Sequence, residues 1–402
     1  MRPERGYVLC DPCLGRLFGS GNILHCEKRG RIIRGKGRDR PSECHICKGL
    51  CPSLEESCGP SLWGAAAYEF ETFVVGVRLK SSMAERDDEV RSRCRLAGAA
   101  ALRAYVAAML SSYLGAMTGA SVDHGAPELS ITADLRDNTA EFHPRPVVLS
   151  GRYTKSVRGL SQKGAPCGGC AGEGCTSCGM LGVDTGGSVE GVISGHACGT
   201  YSARRASFTW VGGEDQESLV GGRGRPFVAQ LVQPHRRGLV HPATVRLGGV
   251  VLHGLREVRS MPQLPVRFRS KVRLAVSAKG EISDDTLGRL ADLGGSTLAV
   301  YEGRRRVERA IHSASHSRTG PGSFELHMEV DGGVPFKRFV SGETVFPNLS
   351  DLLGTVCSCG GFDFEEITVE RGGHPGARGG TRRRPRKGPA RPAGGRDRPR
   401  KT

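Results

Sequence analysis

The sequence contains no apolar run long enough to cross a membrane. Its most apolar stretch, residues 96–117, is rich in alanine and is interrupted by Arg103, whereas a membrane helix needs about 20 consecutive apolar residues. The opening MRPERGYVLC also lacks the apolar segment of a secretory signal peptide. We therefore expect a protein of the cytoplasm with no membrane partner.

Acidic residues are fewer than basic ones. The 402 residues include 41 Asp and Glu against 58 Lys and Arg, which gives a net charge of +17. This sign favours polyanionic partners such as nucleic acid. Residues 371–402 alone hold twelve basic residues against one acid, Asp397. This tail is largely Gly, Pro and Arg with no apolar anchor, so we expect it to be disordered.

The first 59 residues show little apolar periodicity and cannot form a large core without help. Two C-x-x-C pairs in this segment, thirty residues apart, have the spacing of two zinc knuckles. The four predicted ligands are Cys10, Cys13, Cys44 and Cys47. Cys26, Cys51 and Cys58 are possible substitutes for one of them. Bound zinc would supply the folding energy that the missing core does not.

A second set of cysteines lies in a glycine-rich segment further along the chain. Its members, all within twelve residues, are Cys167, Cys170, Cys175 and Cys178. The glycines between them allow the backbone to fold around a metal. Zinc is the preferred hypothesis, and an iron–sulfur cluster is the alternative because thiolates bind both.

Between the two cysteine sets, the sequence predicts a compact α/β module over residues 60–145. Residues 68–79 are β-branched and aromatic enough for a strand, and 129–135 suggest another. Residues 96–117 read as a helix whose apolar face has helical spacing. That face consists of Leu102, Val106, Met109 and Tyr113.

The larger region, residues 146–370, reads as mixed α+β with much strand. We expect a buried strand within 225–234 and a half-buried strand at 324–330, where apolar and polar residues alternate. Asp331-Gly332-Gly333 reads as a hairpin turn into a strand over 334–340. Short helices are expected at 285–293 and 348–353.

A basic stretch with an aromatic residue inside it lies at 152–158. Its members are Arg152, Tyr153, Lys155 and Arg158. Such a stretch could grip phosphates and stack a base. A solvated charged strand would have the same sequence.

A glycine-rich loop with three acids precedes the strand that begins near Arg225. The acids are Glu214, Asp215 and Glu217. Carboxylates on a loop at the edge of a sheet form a reasonable site for a nucleophile or a general base. An acidic surface turn is the competing interpretation.

Several of these segments occur together, in the same order, in one known family. The matching segments are CDPCLGRLFG (10–19), GRYTKSVRGLSQ (151–162), the cysteine set at 167–178, SVEGVI (188–193), residues 212–227, IHS (311–313), FKRFVSGE (336–343) and PNLSDLLG (347–354). On these motifs the chain resembles the THUMP-containing tRNA pseudouridine synthases of archaea and eukaryotes, the tenth pseudouridine synthase family. It looks like an archaeal member, and the resemblance covers nearly everything except the tail.

The resemblance implies an α+β fold in four parts. These are a zinc-binding segment (1–59), a THUMP-like RNA-binding α/β module (60–145), a catalytic domain with a mixed, mainly antiparallel sheet (146–370) and the basic tail (371–402). It implies a monomer that acts on the T arm of tRNA, with structural zinc and no organic cofactor. The reaction isomerises the two adjacent T-loop uridines: an Asp carboxylate breaks the N-glycosidic bond of a flipped uridine, the uracil turns, and a C-glycosidic bond forms.

The chain departs from the family pattern at the reacting positions. The family loop reads Gly-Arg-Glu-Asp-x-Asp and ends on the nucleophile, whereas this chain has Gly213 for the Arg and Glu217 for the final Asp. Glu217 is therefore the candidate nucleophile, and Asp215 is its nearest substitute. Two substrate-contacting tyrosines of the family fall at Arg273 and Pro335. The resemblance implies substrate-binding positions at Tyr153, Lys155, Arg158, Arg225, Arg273, Pro335 and Lys337.

Three hypotheses remain open from the sequence. The first is a uridine isomerase with an altered site, and the second is a tRNA-binding protein or chaperone that kept the fold and lost the chemistry. The third is a zinc-ribbon DNA-binding module, which explains the cysteines and the tail but not the long region 146–370.

We predict that the tail acts as an electrostatic arm that does not read sequence. Removing residues 371–402 should weaken tRNA binding several-fold at low salt and little at high salt, because the tail neutralises phosphates without a fixed geometry. Filter binding across a salt series would measure this. An equal loss of affinity at every salt concentration would contradict the prediction.

Overall fold

The computed structural model describes residues 6–19, 21–35, 41, 43–261 and 266–370. The tail at 371–402, predicted to be disordered, lies outside these ranges. Within the described part, no helix has both the length and the apolar character needed to cross a membrane.

The N-terminal segment consists of short helices packed around its cysteines. Helix α1 spans Asp11–Leu17, α2 spans Cys26–Arg34 and α3 spans Leu54–Cys58. Every residue of α1 is buried. The segment shares one hydrophobic core with the following α/β module, because the buried cluster runs continuously from Leu9 to Leu135.

The α/β module forms as the sequence predicts. Its elements are β1 (Thr72–Arg78), α4 (Ser81–Arg93), α5 (Leu102–Thr118), β2 (Ser121–Val122), β3 (Leu129–Asp134) and β4 (Thr139–Pro144). The four strands are ordered β2-β1-β3-β4, with parallel pairing of β1 to both neighbours. Helix α5 begins six residues later than predicted, where the Asp87 carboxylate accepts a hydrogen bond from the Leu102 N–H at 2.9 Å.

The second core belongs to a large mixed sheet. Its strands are β5 (Val147–Lys155), β6 (Arg205–Trp210), β7 (Val220–Val232), β8 (Thr244–Leu247), β9 (Val250–Val258), β10 (Phe268–Ala278), β11 (Thr297–Glu302), β12 (Arg305–Gly320), β13 (Ser323–Asp331), β14 (Val345–Phe346) and β15 (Cys357–Val369). The order is β14-β11-β12-β13-β10-β15-β7-β5-β9-β8, and β6 pairs with β7. Pairing is antiparallel except between β15 and β7, which confirms the predicted mixed, mainly antiparallel sheet.

Among the residues that the structure describes, four helices accompany this sheet. They are α6 (Val189–Tyr201), α7 (Asp284–Gly288), α8 (Phe336–Ser341) and α9 (Leu349–Leu353). Helix α7, continued by a 3-10 turn to Leu293, and helix α9 confirm the short helices predicted there. The predicted strand over 334–340 is wrong, because that segment contains α8. Its buried residues Phe336, Phe339 and Val340 have the i, i+3, i+4 spacing of one helix face.

The central strands give the sheet a core face and an open face. On β10, Val272, Leu274 and Val276 are buried, while the side chains between them are partly or fully exposed. Arg273 pairs across the sheet with Asp363 of β15. Because strand side chains alternate, Arg273 and Asp363 belong to the open face.

A docking loop, residues 233–237, connects the two cores. The His235 ring stacks on Tyr68 with centroids 4.4 Å apart, and the His235 carbonyl accepts a hydrogen bond from the Glu69 N–H at 2.8 Å. The Arg237 guanidinium donates to the carbonyl of Arg145 at 2.9 Å. The loop thereby fixes the α/β module against the end of β7.

The Arg16–Asp87 ion pair ties α1 to α4 inside the first core. Its N–O distance is 2.5 Å, and both side chains are almost completely buried. We predict that Asp87→Ala lowers the free energy of unfolding by about 3–5 kcal/mol, because it leaves a buried guanidinium unpaired. Urea denaturation would measure this.

Asp88→Ala is the matched control, since Asp88 is a neighbouring acid on α4 with an exposed side chain. Its effect should stay within about 0.5 kcal/mol. Equal effects of the two substitutions would show that the buried pair does not stabilise the fold.

Candidate active site and metal sites

The acidic loop connects β6 to β7 and is organised around a buried carboxylate, Glu214. The Glu214 side chain accepts a hydrogen bond from the Arg225 guanidinium at 3.0 Å and lies 3.3 Å from the Lys155 ammonium. The Tyr153 hydroxyl donates to the same carboxylate at 2.9 Å. The three charged side chains are fully buried. Removing one member of such a set leaves uncompensated charge and costs about 3–5 kcal/mol.

Lys155 also holds the main chain of this loop. Its ammonium donates to the carbonyls of Asp215 and Gln216 at 3.2 and 3.3 Å and to that of Leu160 at 2.7 Å. Burial together with the Glu214 charge raises the pKa of Tyr153 well above its ordinary value. Tyr153 and Lys155 are thus interior residues, which corrects the expectation of a phosphate-gripping surface. Their register on β5 turns them inward.

Asp215 uses both carboxylate oxygens. One accepts a hydrogen bond from the Glu217 N–H at 3.0 Å, which forms a turn, and the other lies 2.5 Å from the Lys337 ammonium. Lys337 and then the Glu217 N–H lower the pKa of Asp215, and Asp215 raises the pKa of Lys337. Asp215 therefore stays ionised near neutral pH and is occupied by its partners.

Glu217 is held by its main chain while its side chain faces solvent. Its N–H donates to Asp215, and its carbonyl accepts a hydrogen bond from Arg158. Within the described ranges, no hydrogen bond or ion pair engages its carboxylate. A fixed backbone with a free, exposed carboxylate is an arrangement that suits a nucleophile.

Glu217 borders a recess of about 290 Å³ on the open face of the sheet. Arg158 binds both carboxylate oxygens of Asp363 at 2.9 Å, and Arg273 bridges Asp363 and Glu325 at 3.0 and 3.1 Å. Burial alone would raise the pKa of Asp363, but the hydrogen bonds from Arg158 and the Leu219 N–H outweigh it and lower the pKa. Two guanidinium groups thus lie in fixed positions beside Glu217.

An aromatic cavity of about 420 Å³ is lined by an earlier part of the same loop. We define it by its four rings, Phe268, Phe336, Phe362 and Phe364. Gly213, Asp215, Pro335 and Lys337 also line it.

The predicted site residues therefore fall into three groups. Glu217, Arg158 and Arg273 share the open recess. Asp215, Pro335 and Lys337 line the aromatic cavity. Tyr153, Lys155 and Arg225 lie beneath the loop and line neither of these two spaces.

Sequence reasoning missed the structural role of Glu214 and overlooked Asp363. Glu214 belongs to the acidic motif, and the buried strand that follows the motif carries Arg225. This neighbouring cation was a signal that could have predicted the pairing. Asp363 lies in GGFDFEE, where no pattern marks it. Only the pairing of β10 with β15 brings Asp363 beside Arg273.

The N-terminal cysteines converge as predicted. The sulfur atoms of Cys10, Cys13, Cys44 and Cys47 all lie within 4.8 Å of one another, and all four residues are buried. Four thiolates at this separation could hold one tetrahedral metal ion such as zinc. The Cys51 sulfur lies 3.9 Å from that of Cys13, so Cys51 is the nearest substitute.

The second cysteine set also converges. The sulfur atoms of Cys167, Cys170, Cys175 and Cys178 satisfy the same 4.8 Å limit. Backbone N–H groups donate to two of the sulfurs, including that of Gly174 to Cys170 at 3.1 Å and that of Gly182 to Cys178 at 3.3 Å. Gly182 has φ of 72°, and a Cβ there would lie 2.3 Å from the Gly172 carbonyl oxygen. The glycines are thus required for the close turn that gathers the thiolates.

Two family models match the chain. The archaeal Pus10 THUMP domain matches residues 64–134, and the Pus10 C-terminal domain matches residues 148–274. The first match falls on the α/β module and the second on the sheet that carries the acidic loop.

Relatives of similar length match most of the chain. A protein of Nitrosopumilus maritimus named tRNA pseudouridine synthase Pus10 is 35% identical over 366 residues, which cover 90% of this chain and 96% of that protein. Proteins of the same name from Korarchaeum cryptofilum and Methanothermobacter marburgensis are 26% and 27% identical. These alignments cover 81% and 89% of this chain and 93% and 95% of the relatives.

We predict that Cys13→Ser releases the N-terminal metal. Bound metal should fall by about one ion per chain, because three thiolates do not complete a closed structural site. Elemental analysis of the purified full chain would measure it.

Cys198→Ser is the control, because Cys198 is a buried cysteine outside both sets. It should retain the full metal content. Undiminished metal in Cys13→Ser would overturn the ligand assignment and indicate that Cys51 completes the site.

Proposed function

We propose, for a chain that belongs to the archaeal Pus10 family of tRNA pseudouridine synthases, that Glu217 is the carboxylate that attacks uridine in tRNA. The supporting observation is the contrast between the two acids of the loop. Asp215 is bound on both oxygens by Lys337 and the Glu217 N–H. The main chain of Glu217 is fixed by hydrogen bonds to Arg158 and Asp215, whereas its carboxylate is free and borders the open recess.

The chemistry follows from that placement. A uridine flipped out of the RNA would present its ribose to the open face, where the Glu217 carboxylate breaks the N-glycosidic bond. The carboxylate forms a bond to C1′ as N1 leaves. The detached uracil then turns, C5 displaces the carboxylate from C1′ to form the C-glycosidic bond, and C5 loses a proton while N1 gains one, so the product is an isomer of uridine. Arg158 and Arg273 supply donors for uracil oxygens or for a neighbouring phosphate. The isomerisation needs no net oxidation and no organic cofactor.

We propose that the substrate is the T arm of tRNA and that the reacting positions are uridines 54 and 55. The family membership supports a tRNA substrate, and the finer choice of nucleotides follows the resemblance. The recess and the acidic loop are formed within one chain, so we expect a monomer to suffice. The described cysteines form no disulfide, and this together with a tRNA substrate fits a cytoplasmic enzyme.

We assign zinc to both cysteine sets as a structural ion. Cys10, Cys13, Cys44 and Cys47 would hold it in the N-terminal segment, and the thiolates of the second set would hold another. When bound, zinc would crosslink segments that have little core of their own. Neither set lines the recess beside Glu217.

We divide the chain at residues 59, 145 and 370, into the metal-binding segment, the THUMP-like module, the catalytic domain and the tail. The two separate hydrophobic cores support the boundary near 145, since one core ends at Leu135 and the next begins at Val147. The metal-binding segment and the module share the first core.

One observation favours a protein that binds tRNA without turnover. Lys337 lines the aromatic cavity and is one of the predicted substrate-binding residues. Its ammonium pairs with the Asp215 carboxylate at 2.5 Å and is therefore already occupied. A longer side chain at 217 also moves its carboxylate by about 1 Å relative to Asp, and such a displacement can cost roughly a hundredfold in rate. Binding with little or no catalysis is therefore the second candidate function.

Substitutions at Glu217 separate the two functions. We expect slow pseudouridine formation by the wild-type chain on an unmodified tRNA transcript, none by Glu217→Ala, and a faster reaction, by up to about a hundredfold, with Glu217→Asp. Mapping of pseudouridine by chemical labelling and primer extension would detect the product.

Glu281→Ala is the control, since Glu281 is an exposed glutamate away from both cavities. It should react like the wild type. Absence of product from the wild type and from Glu217→Asp, with tRNA binding intact, would leave the binding function in place of the enzymatic one.

A further inference from the structure

The first cysteine set is more deeply buried than the second. All four of its residues are buried, whereas Cys170 and Cys175 of the second set are partly exposed. Four thiolates around one divalent ion leave an excess of negative charge, and charge inside a protein core is unfavourable unless another group compensates it. The first set therefore needs a compensating cation within the core.

A buried arginine lies beside the first set. Arg16 is fully buried, and its Nη2 donates a hydrogen bond to the Cys13 sulfur at 3.9 Å. Its Nη1 donates to the Ala100 carbonyl at 2.9 Å. Within the described residues, its Nε–H is buried without a hydrogen-bond partner. A guanidinium with hydrogen-bonding capacity to spare is thus held against a predicted metal ligand.

The two sets differ in the donors that reach their sulfurs. Backbone N–H groups of Gly174, Cys175 and Gly182 donate to sulfurs of the second set. In the part of the chain that the structure describes, no backbone N–H donates to a sulfur of the first set, and the donor there is the Arg16 guanidinium. The negative charge of the first set is therefore compensated from one fixed side chain.

The same guanidinium also holds the start of a helix. The Arg16 Nη2 lies 2.5 Å from Oδ1 of Asp87. Oδ2 of Asp87 accepts a hydrogen bond from the Leu102 N–H at 2.9 Å, where α5 begins. Arg16 thus lies between the Asp87 carboxylate and the Cys13 sulfur, and a change of charge at one of them alters the interaction of the guanidinium with the other.

We propose that Arg16 is a positioning residue of the first metal site, which compensates part of the negative charge of the metal-bound thiolates and links them through Asp87 to the start of α5. The proposal rests on the assignment of a metal to the first set and does not depend on the reaction at Glu217. Groups that hydrogen-bond to a metal ligand tune the site, and their loss typically lowers metal affinity by about 10- to 100-fold.

The test removes both members of the buried ion pair, because removing Arg16 alone would leave the Asp87 charge buried without a partner. It compares a chain that carries Asp87→Asn with one that carries Asp87→Asn and Arg16→Met. Methionine is a flexible, uncharged side chain that can fill the vacated space. Every chain also carries Cys170→Ser and Cys175→Ser, which remove two ligands of the second set so that one metal site is titrated.

Zinc affinity is the first measurement. Titration of Zn²⁺ against a chromophoric chelator, with the full-length chains, should show that loss of Arg16 weakens binding by about 10- to 100-fold. The Asp87→Asn chain is the reference in this comparison, so any effect of the lost carboxylate is present in both chains.

Absorption of bound Co²⁺ is the second measurement, because its sulfur-to-metal charge-transfer band responds to charge beside the sulfur. At saturating Co²⁺ the band should move to longer wavelength when Arg16 is absent, since a thiolate without a neighbouring cation gives up an electron more readily. A general loss of stability would lower the affinity and would not move this band.

Arg29→Met, made in the Asp87→Asn chain, is the matched control. The Arg29 Nη1 also lies 3.9 Å from a cysteine sulfur, that of Cys26, which belongs to neither set. This substitution should leave the zinc affinity and the cobalt band unchanged.

Arg16→Lys, made in a chain that keeps Asp87, is a second variant that retains a cation for the buried carboxylate. Lysine lacks the planar fork with which arginine reaches Asp87 and Cys13 together. It should therefore lower the zinc affinity and move the cobalt band in the same direction as Arg16→Met.

Two results would overturn the proposal: equal zinc affinity with and without Arg16, or a cobalt band that stays in place in both Arg16 variants. An equal loss of affinity in Arg29→Met would also overturn it, because the effect would then belong to the packing of α1 against α2. If the chain that keeps Arg16 and Asp87 binds no zinc at the first set, the assignment of a metal to that set fails as well. The proposed reaction is decided separately, by pseudouridine formation in the Glu217 variants.

Discussion

The buried Glu214 carboxylate is the interaction on which the arrangement of the site depends. It neutralises part of the charge of Arg225 and Lys155, which come from neighbouring strands and could not otherwise remain inside the core. Lys155 in turn holds the carbonyls of the loop, and the loop places Asp215 and Glu217 at two separate recesses. The buried Glu214 thus positions Asp215 and Glu217, whose side chains are partly or fully exposed. A paired and hydrogen-bonded charge cluster of this kind supports a single loop conformation, since every alternative leaves a charge without a partner.

Much of the fold follows from local patterns in the sequence. The site was predicted less completely because it depends on contacts between residues that lie far apart in the sequence. Alternation predicted β13, helical spacing predicted α5, and the C-x-x-C pairs predicted both thiolate sets, because each signal lies within a few residues. The inward direction of Lys155 depends on its pairing with Glu214, 59 residues away, and Asp363 meets Arg273 only across a strand pair. The prediction of a strand over 334–340 is wrong because an apolar run after a glycine turn suits both a strand and a helix. The helix of this segment is set by packing against β15.

The two thiolate sets differ in what surrounds them. The first is fully buried and belongs to the same core as the strands and helix α5 of the α/β module. The second lies in a loop between β5 and α6, and its sulfurs accept hydrogen bonds from backbone N–H groups of glycines and of Cys175. Metal at the first set would stabilise a whole unit of the protein. Metal at the second would order one loop that returns the chain to Ser188 at the start of α6.

The docking loop at 233–237 fixes the distance between the two units of the protein. The N–H groups of His235 and Arg236 donate hydrogen bonds to the Tyr201 carbonyl at the end of α6. Arg237 of the same loop donates to the carbonyls of Glu69 and Arg145 in the other unit. The distance between the α/β module and Glu217 is thereby set by a hydrogen-bonded connection rather than by a flexible linker. A nucleic acid bound by the module would therefore meet the Glu217 carboxylate at a fixed distance from that contact.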